Sequence, residues 1–334
     1  MTQNLFSLLK CLGKVRAFGQ DISMSDKTAK DWGNYWQGRA ASEAGAALVG
    51  VGVETDAEIG TFWDSHLSKL SKTARVLDLA CGAGSVMRRA SAIGLQNLSG
   101  VDISEDAIAT LKAEFPNAQT VVASAEATGL DDAQFDMVAS QFGFEYANPI
   151  DAAREAVRLI ARGGQFLALA HSENSAIELE VARLGTDAKA IIDCGFIGRA
   201  CEMFEADKTG ASDAVFATSA AAFSGPQAEV LSIAKRAGGL AAHLYQGTQT
   251  LYQNRRAYDL SDITGWLEGM RSEIASYAGR MESMRNAALS ETGAQAVLSA
   301  LEIGGLTPRP LEAFVSKTTG DTIGWIIQAT YREL

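Results

Sequence analysis

Between residues 74 and 172 the chain alternates short apolar runs with amphipathic stretches. "ARVLDLA" (74–80) is apolar apart from Arg75 and Asp78, the pattern of a strand buried on both faces. Residues 84–93 read as a helix, and "LSGVDIS" (98–104) as a second strand. Ser104 followed by Glu105 and Asp106 predicts an N-cap with an acidic first turn, opening a helix that runs to Phe115 and is ended by Pro116 and Asn117. "AQTVVASA" (118–125) and "FDMVASQF" (135–142) are the third and fourth strands. A helix follows over 150–161, with Gly163-Gly164 as its stop, and "QFLALAHS" (165–172) is the fifth strand. Strands alternating with helices in this way predict a parallel sheet covered on both faces, an open doubly wound α/β domain.

After Ser172 the periodicity changes. Residues 173–206 and 226–304 read as helical, rich in alanine, leucine and glutamate, and "DKTGASDAVFATSAAAFSGP" between them reads as an irregular connector. β-character returns in "PRPLEAFVSKTTGDTIGWIIQATYR", where two strands flank "KTTGD" as an antiparallel hairpin. The expected organisation is an N-terminal helical segment over 1–70, a core sheet made of 71–172 and 305–334, and a helical insertion over 173–304 that serves as a substrate lid or a dimer interface.

Composition narrows the class. The 334 residues are 47% hydrophobic and 21% charged, and the net charge is −11. That acidic balance argues against general affinity for phosphate backbones. Four cysteines form no C-x-x-C pair and three histidines lie far apart, so no metal site is expected and a reducing, cytoplasmic setting fits. No apolar run approaches a membrane span. The opening "LFSLLKCLGKVRAF" is amphipathic; it reads as a helix packed on the domain or an extension ahead of Met24, with a membrane-surface or targeting helix as the other reading.

The chemistry concentrates in "VLDLACGAGSV" (76–86). Asp78 ends the strand, and Gly82 and Gly84 form the turn into the next helix, where a backbone must approach a ligand or take positive φ. A pyrophosphate fingerprint wants a third glycine, which is missing, and an aspartate ahead of the turn repels a pyrophosphate while suiting a ligand with an ammonium group. The second strand ends at Asp102, placed to accept hydrogen bonds from a ribose diol. The third ends at Ser124-Ala125-Glu126, where an adenine edge would lie. The fourth ends in "SQFGFEY", whose aromatics can pack on a base, a sulfonium or a substrate.

In order and spacing, "VLDLACGAG", "GVDIS", "ASAEATGLDDAQFDMVASQFGFEYA" and "LIARGGQFLALA" resemble the class I S-adenosylmethionine-dependent methyltransferases, in particular small-molecule enzymes of the ubiquinone/menaquinone methyltransferase type. The resemblance covers about residues 70–172. It implies a mostly parallel, seven-stranded Rossmann-like sheet and S-adenosylmethionine as cofactor. By the same resemblance Asp78, Ala80, Gly82 and Gly84 would frame the methionine part. Asp102 would bind the ribose hydroxyls, with Ile103 against adenine. Ala125 would offer its N–H to the adenine beside Glu126, and Gln141 and Phe142 would line the methyl end. Ser124 stands where many relatives carry an aspartate that accepts from the adenine amino group. Upstream, "KDWGNYWQGR" resembles the aromatic helix that covers the cofactor, offering Tyr35 and Arg39, the latter to pair with the methionine carboxylate.

Methyl transfer from a sulfonium is an in-line displacement that needs alignment and exclusion of water, and a base only when the acceptor arrives protonated. His171, Tyr146 and Glu145 are the catalytic candidates at the strand tips, with packing roles as the alternative. The expected acceptor is a small molecule. The competing readings are an RNA or protein methyltransferase, and a non-catalytic scaffold that keeps the fold. Nucleic acid is not an expected partner, and a homodimer through the alanine-rich helices is left open.

Overall fold

The computed structural model describes residues 53–331. Tyr35, Arg39 and the amphipathic opening lie outside the described residues. Two compact units divide the described chain, a sheet unit that runs to Ala182 and resumes at Glu282, and a helical unit over Arg183–Met281.

In the sheet unit, helix α1 (Val53–Leu67) leads to β1 (Arg75–Leu79), α2 (Ser85–Ala92), β2 (Asn97–Asp102), α3 (Glu105–Glu114), β3 (Gln119–Val122), β4 (Phe135–Gln141), α4 (Pro149–Leu159) and β5 (Ile160–Ala170). The chain leaves through α5 (Ala176–Asp193). Helices α6 (Phe196–Lys208), α7 (Asp213–Ala237), α8 (Gly239–Gln253) and α9 (Leu260–Ala287) follow, and the chain returns to α10 (Glu291–Ile303), β6 (Leu306–Pro308), β7 (Glu312–Val315) and β8 (Thr322–Tyr331). The strand order is β3-β2-β1-β4-β5-β8-β6, with β7 also on β8. The first five strands are parallel and β8 is antiparallel to β5. Strands β6 and β7 pair with successive stretches of β8, so eight strands fill the seven expected positions. Pro310 lies in the break between them, where a ladder donor would be missing.

Local signals act as expected at several boundaries. Ser104 caps α3 by accepting from the Ala107 N–H. Asn148 caps α4 and is followed by Pro149, whose missing N–H costs nothing in a first turn. The faces of β1, β4 and β5 are apolar, and Leu77, Val138, Phe166 and Ala168 are fully buried in one core with Ala152, Ala156 and Leu301 of the flanking helices.

Three boundaries differ from the sequence reading. Gly163-Gly164 does not stop a helix: α4 already ends at Leu159, and the glycines lie inside β5. The β4 register jumps from Phe135↔Ile160 to Met137↔Gln165, so residues 161–164 form a bulge. Gly163 takes φ 80°, and a Cβ on Gly164 would stand 2.9 Å from the Ala161 carbonyl oxygen, so glycine is required for the crowding there and not for a cap. The third strand is shorter than expected, because the chain turns at Ser124 to make a bridge with Ala127. The supposed connector 207–226 is mostly helix: α7 begins at Asp213 and runs through Pro226. Phe223 is buried in the core of the helical unit, 4.9 Å from the Phe196 ring, and that burial outweighs the serine, glycine and proline in the segment.

The helical unit has its own core, including Phe204, Leu244, Ile263 and Leu267. Its boundaries are narrower than 173–304, since α10 packs on α4, β6 and β8 and so belongs with the sheet. Arg255 of the tyrosine- and arginine-rich stretch is held by Asp207 at 3.1 Å and lies 4.4 Å from the centre of the Tyr252 ring. Among the described residues no helix is long and apolar enough to cross a membrane, and no cluster of metal-ligating side chains occurs.

Candidate active site

The tips of β1, β2, β4 and β5 form one edge of the sheet, the edge where an open α/β sheet binds its ligands. After β1 the chain turns through Ala80 (φ 55°), Gly82 (φ 50°) and Gly84 (φ 86°), three left-handed residues in five. Gly84 is the N-cap of α2, and a Cβ there would approach Leu111 Cδ1 to 2.4 Å. As a glycine it supplies no side-chain cap. The Asp78 carboxyl lies toward the first turn of α2, where the Met87 and Val86 backbone groups pull its pKa down. The Asp78 carboxyl is fully enclosed, and Oδ2 has no hydrogen-bond partner among the described residues. Burial pushes its pKa well above the usual carboxylate range, against those two donors. The sequence predicted a ligand-facing aspartate at the end of the strand; the structure encloses it one residue before the strand ends.

Asp102 closes the turn from β2. Its Oδ2 accepts from the Gly82 N–H at 2.8 Å and its Oδ1 from the Ser104 N–H at 2.9 Å. Burial raises its pKa too, while the N–H groups of Ser104, Gly82 and Ile103 oppose the shift. Beside it the Ile103 side chain is 49% exposed, an apolar surface at a strand tip. Ala125 is buried within the Ser124–Ala127 turn, and its N–H has no acceptor among the described residues. Glu126 is turned toward α4, where its Oε1 accepts from the Asn148 N–H. Ser124 uses its hydroxyl to accept from the Glu126 N–H at 3.3 Å.

On the other half of the edge, Gln141 ends β4 and Phe142 takes φ 51°. The following Gly143 is pressed on the first turn, since a Cβ there would lie 2.5 Å from the Ala80 carbonyl oxygen. Ser140, which the sequence reading did not single out, ties the two tips together by donating to the Leu79 carbonyl at 2.7 Å and accepting from the Phe144 N–H at 3.1 Å. Glu145, Tyr146 and His171 come together: the His171 ring lies 4.5 Å from Phe142 and 5.7 Å from Tyr146, and its Nδ1 is 2.7 Å from Glu145 Oε1. Two more polar atoms here, Glu145 Oε2 and Ser172 Oγ, are enclosed without a partner among the described residues. Thus the residues predicted on the described chain gather at one edge, apart from the Glu126 carboxylate, which is engaged with α4. A groove of about 220 Å³ between α4 and α10, lined by Ile150, Val157 and Ile303, contains none of them.

Residues 77–168 match the family described as "Methyltransferase domain". Over 105 residues the chain is 29% identical to an uncharacterized methyltransferase of Schizosaccharomyces pombe, covering 31% of this chain and 42% of the relative's length. Among solved structures it is similar to a TehB-like S-adenosylmethionine-dependent methyltransferase of Corynebacterium glutamicum, at 20% identity and TM-score 0.32 over 43% of this chain and 73% of that one. It is also similar to a geranyl diphosphate methyltransferase in complex with GPP and sinefungin, at 11% identity and TM-score 0.42 over 83% and 78%. The matched segment is a class I S-adenosylmethionine-dependent methyltransferase domain, and S-adenosylmethionine is the cofactor of that class. The chain spans less than half the length of the curated relative it matches. The geometry fits this cofactor: a left-handed turn free of large side chains, an acid at the neighbouring strand tip, an exposed apolar side chain beside it and an uncommitted N–H at Ala125.

Proposed function

We propose that the chain transfers the methyl group of S-adenosylmethionine to a small-molecule acceptor. The observation that carries this reading is the pairing of the Ala80–Gly84 turn with the Asp102 carboxylate at the adjacent strand tip. When bound, the cofactor supplies an electrophilic methyl carbon on a sulfonium. Ala80, Gly82 and Gly84 would give the methionine part a backbone surface, and Asp78 would put a carboxyl oxygen behind it. Asp102 has lone pairs left after its two backbone bonds and would accept from the ribose hydroxyls. Ile103 would pack on the adenine, Ala125 would donate its N–H to it with Glu126 alongside, and Gln141 and Phe142 would border the methyl end. The chain's work is to orient the acceptor and exclude water. A small acceptor is supported by the net charge of −11, which disfavours nucleic acid, and by the enclosed Glu145 and His171 at the acceptor half of the edge.

Calorimetric titration with S-adenosylmethionine, S-adenosylhomocysteine and NAD tests the reading. Heat from the two sulfur ligands and none from NAD is the expected result. Silence from both sulfur ligands would turn the reading toward a scaffold.

A further inference from the structure

We propose that His171 is the general base of the transfer, held for that task by Glu145, and that the acceptor is a hydroxyl compound of phenolic type; the proposal rests on the methyltransferase reading above. Glu145 Oε1 accepts from the His171 backbone N–H at 2.9 Å and faces its Nδ1 at 2.7 Å. A carboxylate only accepts, and Glu145 Oε1 takes both of these contacts. Nδ1 is therefore the donor, and in the neutral ring the lone pair is on Nε2.

The rest of the site holds that ring still. Past β5 the His171 carbonyl accepts from the Leu289 N–H at 2.9 Å, and the Leu289 carbonyl accepts from Trp325 Nε1 at 2.9 Å and from the Glu173 N–H at 3.1 Å. Phe142 and Tyr146 flank the imidazole. A fully enclosed ring nitrogen needs a protein or water partner, whereas one that reaches the site can meet a ligand. Nε2 of His171 makes no hydrogen bond among the described residues, and it is not one of the fully enclosed, unpartnered side-chain atoms. It is the nitrogen left open, on a residue next to the tip of β5 and across from the half of the edge that would hold the cofactor.

A positioned base has a use only for an acceptor that arrives with its proton. Carboxylates, thiolates and tertiary amines need none; a phenol does, since it is protonated at neutral pH as tyrosine is. The aromatic rings beside His171 suit such an acceptor. The acceptor oxygen forms its bond to the methyl carbon as the carbon–sulfur bond breaks, the bonding pair stays on sulfur, and the hydroxyl proton passes to Nε2. The imidazolium then keeps Nδ1–H on Glu145 and releases the other proton to water. His171 is catalytic in this scheme and Glu145 is a positioning residue.

The test uses the full chain and phenol and thiophenol as probes, the second being largely ionised near neutral pH. S-adenosylhomocysteine titration of wild type comes first. If wild type does not bind, the methyltransferase reading fails; if it binds and the later results fail, only the base assignment falls. In the S-adenosylhomocysteine complex, ¹⁵N-histidine spectra, assigned by replacing His66 and His243, are expected to report the Nδ1–H form of His171; an Nε2–H form overturns the proposal. With labelled S-adenosylmethionine, His171→Gln is expected to lower the ratio of phenol to thiophenol turnover at least 100-fold, within the usual range for a general base. Glu145→Gln is expected to lower the same ratio at least tenfold through kcat, with KM for phenol little changed. An equal loss on both probes, or no phenol turnover by wild type, overturns it.

Discussion

Gly82 donates its N–H to the Asp102 carboxylate at 2.8 Å, so the turn after β1 is closed by the side chain at the tip of β2. The two halves of the expected cofactor site are one hydrogen-bonded unit, and the second oxygen of the same carboxylate fixes the start of α3 through Ser104. Asp102→Ala removes both ties and the acceptor offered to the ribose. S-adenosylhomocysteine affinity is expected to fall at least 100-fold, equivalent to about 2.7 kcal/mol, while circular dichroism keeps its helical and sheet signal. An unchanged Kd by calorimetry would remove Asp102 from the site.

Asp78 governs a pH dependence of stability. Its carboxyl is held well above its ordinary 3.8 by burial, so the folded state binds its proton more tightly than the unfolded state does. This group therefore makes stability fall as pH rises from the unfolded pKa through the raised folded one, and it adds no slope below or above that window. Asp78→Asn keeps the size of the side chain but has no charge to bury. Urea unfolding at intervals from about pH 4 to pH 8 should give the variant a smaller decline than wild type, with the two converging toward acid. A steeper decline in the variant would contradict the assignment.

Gly84→Ala meets two penalties at once. The residue sits at φ 86°, and the new Cβ would approach Leu111 Cδ1 to 2.4 Å. A left-handed alanine costs roughly 1–2 kcal/mol and overpacking roughly 1–3. Denaturant unfolding should therefore show a loss of about 2–5 kcal/mol. A change below about 0.5 kcal/mol, the scale of an ordinary surface substitution, would mean that the turn relaxes freely.

Glu58 of α1 clasps the β7–β8 hairpin loop, accepting from the Lys317 N–H at 2.8 Å, the Thr318 N–H at 3.0 Å and the Thr318 hydroxyl at 2.6 Å. The Thr318 hydroxyl, followed by the Lys317 N–H, lowers its pKa below 4.5. The stabilisation from this depressed carboxyl is present above 4.5 and is lost as pH falls through the lower folded value. Glu58→Gln should speed amide exchange at Lys317 and Thr318 near neutral pH and leave β5 unaffected. Equal protection in both proteins would show that the loop holds without the clasp.

Much of the sheet unit is written locally. The run "VLDLA" is apolar enough to be buried on both faces, Ser104 and Asn148 carry their own caps, and "KTTGD" turns one terminal strand onto the next. The two glycines of the turn were legible for the same reason, because positive φ is a property of one residue and its neighbours. Gly163-Gly164 was misread because a stop after a helix and a bulge within a strand use the same residue, and only the register against β4 separates them. Residues 213–226 were misread because the helix there is stabilised by Phe223 inside a distant core, which outweighs the local preference of serine, glycine and proline.

The sequence alone determined the alternating elements, the ligand edge and the residue types at the strand tips, since each depends on periodicity and on signals a few residues long. Tertiary structure decided the pairings across long separations. Asp102 closed the turn at Gly82, Ser140 joined β1 to β4, and Glu58 found a loop more than 250 positions away. It also set Glu145 against His171, 26 residues on, with one ring nitrogen bound and the other left open. Hydrogen bonds of this kind depend on where separate strands end in space, and the spacing of residues along the chain does not encode that.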